Sequence, residues 1–225
     1  MATTVLILGE SGSGKSTTFR TLDPKETYYI NCDGKSLPFR YKSNYNKDNK
    51  NYVETSDLEV INRLIPKINL KEEVKVLVID TINGIMLDKE MSSNFRGKTA
   101  GGEARNKWMD LAAEVYDLIL SLNKLRDDLI VFVTGHVFLY TDIDGLEKKS
   151  LITNGRKLEK IKLESKFPIV LCTRVTCGNE GVNQYELETQ SNMSTAKSPM
   201  EMFDTFIIPN DGKLIIERIK EYYNG

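Results

Sequence analysis

The chain has 225 residues, with 31 Lys or Arg against 32 Asp or Glu and a formal net charge of −1. This near balance excludes a uniformly basic coat for nucleic acid, although it does not locate the charges. The longest apolar runs are only strand-sized, which argues against a membrane span of about 18 apolar residues. We expect a single soluble domain over residues 1–225 that needs no metal or disulfide for stability.

Neither a secretion signal nor a disulfide framework is indicated by the sequence. Residues 1–8 lack the basic region and the long apolar stretch of a signal peptide. Cys32, Cys172 and Cys177 are odd in number and lack the neighbouring Cys or His that would complete a zinc site. We therefore expect a cytoplasmic protein with reduced thiols.

The first half of the chain alternates between strand and helix patterns. Residues 4–8 are β-branched and apolar and predict a strand, after which a glycine-rich loop leads into a helix beginning over residues 15–22. A second strand is predicted over residues 27–31 and is followed by an irregular polar segment. Ser56 can cap the next helix, and residues 76–79 are typical of a strand buried on both faces.

The second half continues this alternation and then becomes richer in strands. Residues 94–106 contain Gly, Lys and Arg without periodicity and predict a mobile loop, whereas apolar spacing predicts a long helix from Trp108 to Leu122. This order of elements predicts an α/β fold with a mainly parallel sheet. The remaining predicted elements are strands over residues 129–134, 168–175 and 184–189, and a closing helix over residues 213–223 with Leu214, Ile215, Ile219 and Tyr222 facing inward.

Residues 9–16 read GESGSGKS and match the phosphate-loop pattern G-x-x-x-x-G-K-[ST]. In such a loop the glycines let backbone N–H groups converge on phosphate oxygens, and the following helix N-terminus adds partial positive charge. We expect Lys15 to bridge the β and γ phosphates of ATP and Ser16 to ligate Mg²⁺. The predicted nucleotide-binding residues are Gly9, Glu10, Ser11, Gly12, Ser13, Gly14, Lys15, Ser16 and Thr17.

Three further polar residues follow predicted strands. Asp80 ends the strand over residues 76–79 and is the expected second metal-binding residue, with a helix cap as the alternative. Because Thr81 and not Glu follows it, the general base is sought elsewhere, and Asp33 after the second strand is the candidate. An Asp-Gly turn is its structural alternative. His136, the only histidine, is a candidate γ-phosphate sensor or a hydrogen-bonded structural residue.

The arrangement resembles the RecA-like ATPase core, and four motifs are similar to the bacteriophage RecA-like ATPases of the Sak-four single-strand annealing group. They are residues 9–16, DGKSLPF over residues 33–39, TGH over residues 134–136 and TAKSP over residues 195–199. The resemblance implies a RecA-like P-loop NTPase core, a mainly parallel sheet flanked by helices. RecA recombinases carry Glu and Gln where this chain has Asp33 and His136, and this difference argues against full strand exchange.

The same resemblance implies ATP hydrolysis with Mg²⁺, stimulated by single-stranded DNA, and annealing during phage recombination in the bacterial host cell. It also implies a homo-oligomer, either a ring or a filament, in which Lys197 reaches the γ phosphate held by a neighbouring subunit. A single-strand DNA-binding protein of the phage or the host is a further candidate partner.

Positive charge gathers in segments that correspond to DNA-contacting loops of RecA-like proteins. Residues 148–166 carry a local charge of +5, and phosphate contacts by such segments give salt-dependent, sequence-independent affinity. We expect residues 92–107 and 139–157 to hold DNA, with a solvated charged face as the alternative. Residues 35–50 interleave basic and aromatic side chains and suit base stacking or docking on another subunit. The candidates are Arg96, Lys98, Arg105, Lys107, Lys148, Lys149, Arg156 and Lys157.

Two other functions could use the same phosphate loop. A small-molecule or nucleotide kinase needs an arginine-bearing lid, for which residues 148–162 are a candidate. A nucleotide-gated assembly module would bind ATP without turnover, and Asp33 would then not act as a base.

Overall fold

A computed structural model describes residues 1–99, 101–141, 143, 145, 147–178 and 181–224, without the side chains of residues 104, 105, 147 and 224. The strands are β1 (Thr3–Gly9), β2 (Thr27–Asn31), β3 (Tyr52–Glu54), β4 (Val76–Asp80), β5 (Ile130–Thr141), β6 (Glu147–Leu151), β7 (Ile169–Cys177), β8 (Asn183–Glu188) and β9 (Ile207–Pro209). The helices are α1 (Leu58–Asn69), α2 (Ile82–Met91), α3 (Ser93–Gly97), α4 (Gly101–Asn123), α5 (Arg156–Ile161) and α6 (Gly212–Asn224). Short 3-10 helices cover Ser16–Thr21, Lys42–Asn44 and Leu163–Lys166.

The strands form a mixed sheet in the order β3-β2-β4-β5-β1-β7-β8-β9, and β6 pairs with β5 outside this path. All pairs from β3 to β7 along this order are parallel. The pairs β5 with β6, β7 with β8 and β8 with β9 are antiparallel. The predicted α/β class with a mainly parallel sheet is therefore confirmed.

Helices cover both faces of the sheet, so neighbouring strand residues are buried on opposite sides. On one face Leu6 and Ile79 belong to an apolar cluster with Ile119 of α4. On the other face Val5 belongs to a cluster with Phe19, from the 3-10 helix after the phosphate loop, and with α6. Burial on both faces explains why these strands are continuous apolar runs and not alternating ones.

The predicted mobile loop over residues 94–106 is wrong, because α3 and the start of α4 occupy it. Ser92 caps α3, its hydroxyl accepting the Phe95 N–H at 3.2 Å. Phe95 is buried, and its ring meets that of Trp108 edge-on with 4.9 Å between centroids. This aromatic contact anchors a segment whose polar sequence otherwise indicated a loop.

The predicted loop over residues 139–157 is largely a hairpin and a helix. β5 extends to Thr141 and pairs with β6, while α5 begins at Arg156. Buried Glu164 holds the hairpin, since its Oε1 accepts the Ser150 hydroxyl at 2.7 Å and the Leu151 N–H at 2.9 Å. Contacts distant in sequence thus stabilise this segment.

Smaller differences concern element ends and one helix face. Asp57, and not Ser56, caps α1 by accepting backbone N–H groups of its first turn. In α6, Ile215 and Ile219 are buried as predicted, but Tyr222 is exposed because it lies beyond the edge of the apolar cluster. No helix in the described ranges is long and apolar enough to cross a membrane.

Candidate nucleotide-binding site

The phosphate loop and the candidate polar residues meet at the carboxyl edge of the parallel strands. Gly9 at the end of β1 lies opposite His136 of β5 in the sheet register. Asp80 ends β4, and Asp33 follows the end of the neighbouring strand β2. Parallel strands end at one edge of a sheet, where ligands bind in open α/β folds. The fold therefore brings together the residues that the sequence singled out.

The shape of the phosphate loop is held from strand β7. A Cβ on Gly9 would lie 1.7 Å from Thr173 Oγ1, so that only glycine fits this close approach. The Thr173 hydroxyl donates to Ser13 Oγ at 2.7 Å, and Ser13 in turn donates to the Glu10 carbonyl at 2.6 Å. Gly14 adopts a φ of 95°, a conformation that L side chains rarely adopt.

Lys15 is buried within the loop that contains it. Its Nζ donates to the carbonyls of Gly9 and Glu10 at 2.9 and 2.7 Å and lies 3.3 Å from Nδ1 of His136. Burial lowers the Lys15 pKa to about 8, with the nearby carboxylates of Asp80 and Asp33 acting in the opposite direction. The ammonium is thus fixed at the loop where a phosphate oxygen would bind.

Asp80 is a buried carboxylate with both oxygens oriented by neighbouring hydroxyls. Tyr29 donates to Oδ2, and Thr134 donates to Oδ1. Burial and the Asp80 charge raise the Tyr29 pKa well above its usual value, so the phenol stays a donor. A carboxylate oxygen offers two acceptor sites, so each oxygen keeps capacity for a water or a metal.

The donor set at this edge fits Mg²⁺ bound largely by phosphate and water. Mg²⁺ prefers oxygen ligands and is usually held by few protein groups. Half-buried Ser16 and buried Asp80 would supply such oxygens. Within the described ranges there is no cluster of three or more His, Cys, Asp or Glu that could hold a metal. Phosphate oxygens and water would supply the other ligands of the ion.

Asp33 and His136 line one cleft of about 500 Å³ beside the loop, together with residues of α2. Asp33 Oδ1 accepts the Thr81 hydroxyl at 2.8 Å, and Oδ2 lies 3.8 Å from the Lys35 ammonium. Burial lowers the His136 pKa, and the Lys15 charge lowers it further, which favours a neutral imidazole. The cleft thus combines an oriented carboxylate with a neutral polar ring.

Asn83 joins His136 to the segment after β6, and no sequence pattern indicated it. Its Oδ1 accepts the backbone N–H of His136 at 2.7 Å, and its Nδ2 donates to the Ile152 carbonyl at 2.9 Å. The Ile152 N–H also donates to the His136 carbonyl at 2.8 Å. A displacement of His136 would therefore act directly on residues close to the start of α5.

The candidate DNA residues of α3 and α4 have different surroundings. Arg96 is exposed, and Lys98 lies 4.0 Å from Asp110. Lys107 donates to the Phe95 carbonyl at 3.1 Å and lies 4.7 Å from the centre of its ring, so this ammonium is engaged within the fold. The side chain of Arg105 lies outside the described residues.

The second group of basic candidates lies close to the first. Lys148 and Lys149 are half-buried on β6, whereas Arg156 and Lys157 are exposed in the first turn of α5. The preceding Gly155 lies against Trp108, since a Cβ there would approach its ring to 2.7 Å. Because Trp108 also contacts Phe95 of α3, the two segments flank one aromatic side chain.

Two other predicted contact regions are engaged within the fold. Lys197 exchanges backbone hydrogen bonds with Val170 of β7, and its side chain is half-buried, which lowers its pKa. Its contact with a neighbouring subunit stays a prediction. In residues 35–50, Tyr45 is buried and packs on Phe39, while Tyr41 is exposed.

Asn210 also supports the loop and was missed by the sequence reasoning. Its Oδ1 accepts the Thr18 hydroxyl at 2.5 Å, and its Nδ2 donates to the Gly14 carbonyl at 3.0 Å. Its position 196 residues after Gly14 leaves no local signal for this role. Thr173 and Tyr29 were missed for the same reason, and Thr134 was noted only as part of the TGH motif, without its contact with Asp80.

Comparisons with known proteins place this site in a family. A family model described as AAA domain (AAA_24) matches residues 1–200, whereas no curated protein matches. Among solved structures, the flagellar accessory protein FlaH from Methanocaldococcus jannaschii is similar at 15% identity and a TM-score of 0.46, over 92% of this chain and 83% of that one. The predicted P-loop core with a mainly parallel sheet flanked by helices is confirmed, whereas its RecA-like class stays a prediction. Since the matched region contains the phosphate loop and the polar edge around it, the chain belongs to the AAA domain family of P-loop ATPases.

Proposed function

We propose that the protein is a Mg²⁺-dependent ATPase that binds single-stranded DNA under nucleotide control and promotes annealing, as an oligomer, in phage recombination. Family membership supports ATP binding and hydrolysis. The motifs shared with the Sak-four group support the DNA substrate. The observation that carries the coupling is the hydrogen-bonded link from His136 through Asn83 to Ile152.

The residues at the sheet edge divide the work of hydrolysis. Lys15 and the loop N–H groups bind and orient the phosphates, and Asp33 accepts a proton from the attacking water. Ser16 and Asp80 would hold Mg²⁺, and the ion would neutralise negative charge on the phosphates. Most of the rate enhancement in such a site comes from positioning and charge stabilisation.

The same residues suggest how the nucleotide state reaches the DNA segment. A γ-phosphate oxygen would compete with His136 Nδ1 for the Lys15 ammonium, which now lies 3.3 Å from that nitrogen. Movement of the imidazole would shift the His136 backbone, whose N–H donates to Asn83 and whose carbonyl accepts the Ile152 N–H, and the change would reach Ile152 by both contacts. Arg156 and Lys157 follow four and five residues later and would move with that segment.

Turnover and annealing assays test the proposal. ATP labelled at the γ phosphate is incubated with and without single-stranded DNA, and pairing of complementary labelled strands is followed with and without ATP. We expect labelled free phosphate in larger amount with DNA, and faster annealing with ATP. Absence of turnover in both conditions contradicts the ATPase, and label on an acceptor molecule identifies a kinase. If the rate of ATP hydrolysis is the same with and without DNA, and the protein does not bind DNA, the proposed coupling is contradicted.

Charge reversal at the start of α5 is predicted to weaken DNA binding. In the double variant Arg156→Glu, Lys157→Glu we expect about tenfold weaker binding of single-stranded DNA, because phosphate contacts contribute most of the affinity. The slope of log affinity against log salt falls by about 0.7 per lost contact. Fluorescence anisotropy at several salt concentrations measures both quantities.

The matched control reverses two exposed lysines near the amino edge of the sheet, Lys25→Glu and Lys67→Glu. It makes the same change in net charge at a distance from α5. Equal loss in both double variants would attribute the effect to net charge and would contradict a local DNA contact.

Nucleotide affinity is predicted to fall as the pH rises through the Lys15 pKa. Burial lowers this pKa to about 8, so the ammonium is largely present at pH 7 and largely lost at pH 9. We expect a non-hydrolysable ATP analogue to bind about tenfold more weakly at pH 9 than at pH 7, because Lys15 must take up a proton before it can hold the phosphates. Titration calorimetry at both pH values checks this. Lys15→Ala should remove the dependence, and a dependence that survives would assign it to another group.

A further inference from the structure

The phosphate loop has a second side, toward β7 and β8, that carries none of the residues discussed for hydrolysis. In the sheet, β5 and β4 lie on one side of β1, and β7 and β8 lie on the other. His136 and Asp80 belong to β5 and β4. Tyr185 of β8 stands opposite Val175, two residues beyond Thr173, which contacts the loop. It therefore lies just past the carboxyl edge, beside the loop.

The Tyr185 ring packs directly on the loop. A Cβ on Gly14 would lie 3.0 Å from its Cδ1 and 3.7 Å from its Cε1. The position is held by backbone, because the Asn210 N–H donates to the Tyr185 carbonyl at 3.1 Å while its side chain donates to Gly14. Leu187, two residues further along the same face of β8, is fully buried in the core.

Tyr185 itself remains 43% exposed. Its ring lies beyond the last core residues of β8, and part of its surface is exposed to solvent beside the loop. Among the described residues, no hydrogen-bond partner is found for its hydroxyl. An aromatic ring that is fixed at its base and open on its surface offers a platform for a flat ligand.

The direction in which a triphosphate would lie along the loop follows from the residues on the β5 side. Lys15 bridges the β and γ phosphates in loops of this type, and its ammonium points toward His136 on β5. The γ end therefore lies toward β5 and β4, where Asp80 and Asp33 also stand. The α phosphate and the nucleoside must then leave the loop in the opposite direction, toward β7 and β8.

We propose that Tyr185 is the residue on which the nucleotide base stacks. This inference rests on the proposed nucleotide-binding function and adds the contact that holds the nucleoside. Ring stacking uses the face of a base and not its hydrogen-bonding edge, so it tolerates different bases. The site should therefore accept GTP nearly as well as ATP, and prefer purines, with their larger rings, to pyrimidines.

Binding of two ligands separates base stacking from support of the loop. Dissociation constants are measured by calorimetry for a non-hydrolysable ATP analogue and for inorganic tripolyphosphate, both with Mg²⁺. In Tyr185→Ala we expect about tenfold weaker binding of the ATP analogue and unchanged binding of tripolyphosphate, which has no base. Tyr185→Phe keeps the ring and should bind both ligands as the parent does. Tyr223→Ala, which removes an exposed tyrosine from α6, is the matched control.

Each other outcome is informative. Equal weakening of both ligands in Tyr185→Ala would show that the ring only shapes the loop, and unchanged binding of both would show that the base lies elsewhere; either result overturns the inference. Lys15→Ala should weaken both ligands. If it weakens neither, the nucleotide site itself is wrong, and this failure is distinct from that of Tyr185.

Discussion

Lys15→Ala is expected to lower the rate of ATP hydrolysis by about 10²- to 10³-fold, the range found when one preorganised charge-stabilising donor is removed. The Lys15 ammonium is held by the carbonyls of Gly9 and Glu10. Few other cations could replace it, because it is buried inside the loop. Steady-state phosphate release at saturating ATP and DNA measures the effect.

The control for this prediction is Lys25→Ala, which removes an exposed lysine before β2, at the opposite edge of the sheet. It should hydrolyse ATP at the parental rate. A Lys15→Ala protein that folds, as judged by its thermal melting curve, and keeps more than about a tenth of the parental rate would contradict the assignment of residues 9–16 as a catalytic phosphate loop.

Asp33→Asn is expected to lower turnover by about 10²- to 10⁴-fold, the range attributed to a general base, while leaving the affinity for an ATP analogue unchanged. The amide keeps the shape of the side chain and can still accept the Thr81 hydroxyl, which donates to Asp33 Oδ1 at 2.8 Å. Loss of the proton acceptor is then the main change. Single-turnover hydrolysis and equilibrium binding, measured together, separate the two effects.

Asp88→Asn provides a matched control in the same cleft. Asp88 lines the cleft from α2 and is exposed, and it has no assigned part in the chemistry. Its replacement should leave both turnover and binding near the parental values. If Asp33→Asn hydrolyses ATP normally, the base is another group, although the phosphate loop stands unaffected.

These variants divide the site into a binding part and a chemical part. Lys15 should affect both nucleotide affinity and turnover, Asp33 only turnover, and Tyr185 only the affinity for ligands that carry a base. A protein that binds ATP tightly, assembles and never releases phosphate would instead fit a nucleotide-gated assembly module. Asp33→Asn would then behave as the parent does.

Much of the site could be predicted because its signals are local. The phosphate loop lies within eight consecutive positions, residues 9–16, and its chemistry depends on backbone freedom and one lysine. Asp80 follows a run of apolar residues that marks a strand buried on both faces. Asp33 follows β2, and His136 comes after the predicted strand over residues 129–134, although β5 extends past it to Thr141; because the strands are parallel, both residues lie at one edge of the sheet.

The segments that were predicted wrongly have polar sequences and are held by side chains whose role is set by the tertiary structure. Residues 94–106 carry Gly, Lys and Arg, yet Phe95 packs on Trp108 and helices form. The β5–β6 hairpin is held by Glu164, a carboxylate buried thirteen residues beyond Leu151. These contacts depend on packing in the folded protein, and the local periodicity of the sequence does not predict them.

The sequence by itself determined the fold class, the phosphate loop and the polar strand ends, because each depends on short patterns of hydrophobicity and turn chemistry. Only the tertiary structure decided which residues support them. Asn210 reaches Gly14 across 196 positions, and Asn83 joins His136 to Ile152. These hydrogen bonds connect residues that are far apart in the chain, and they form only when the sheet and its helices are assembled.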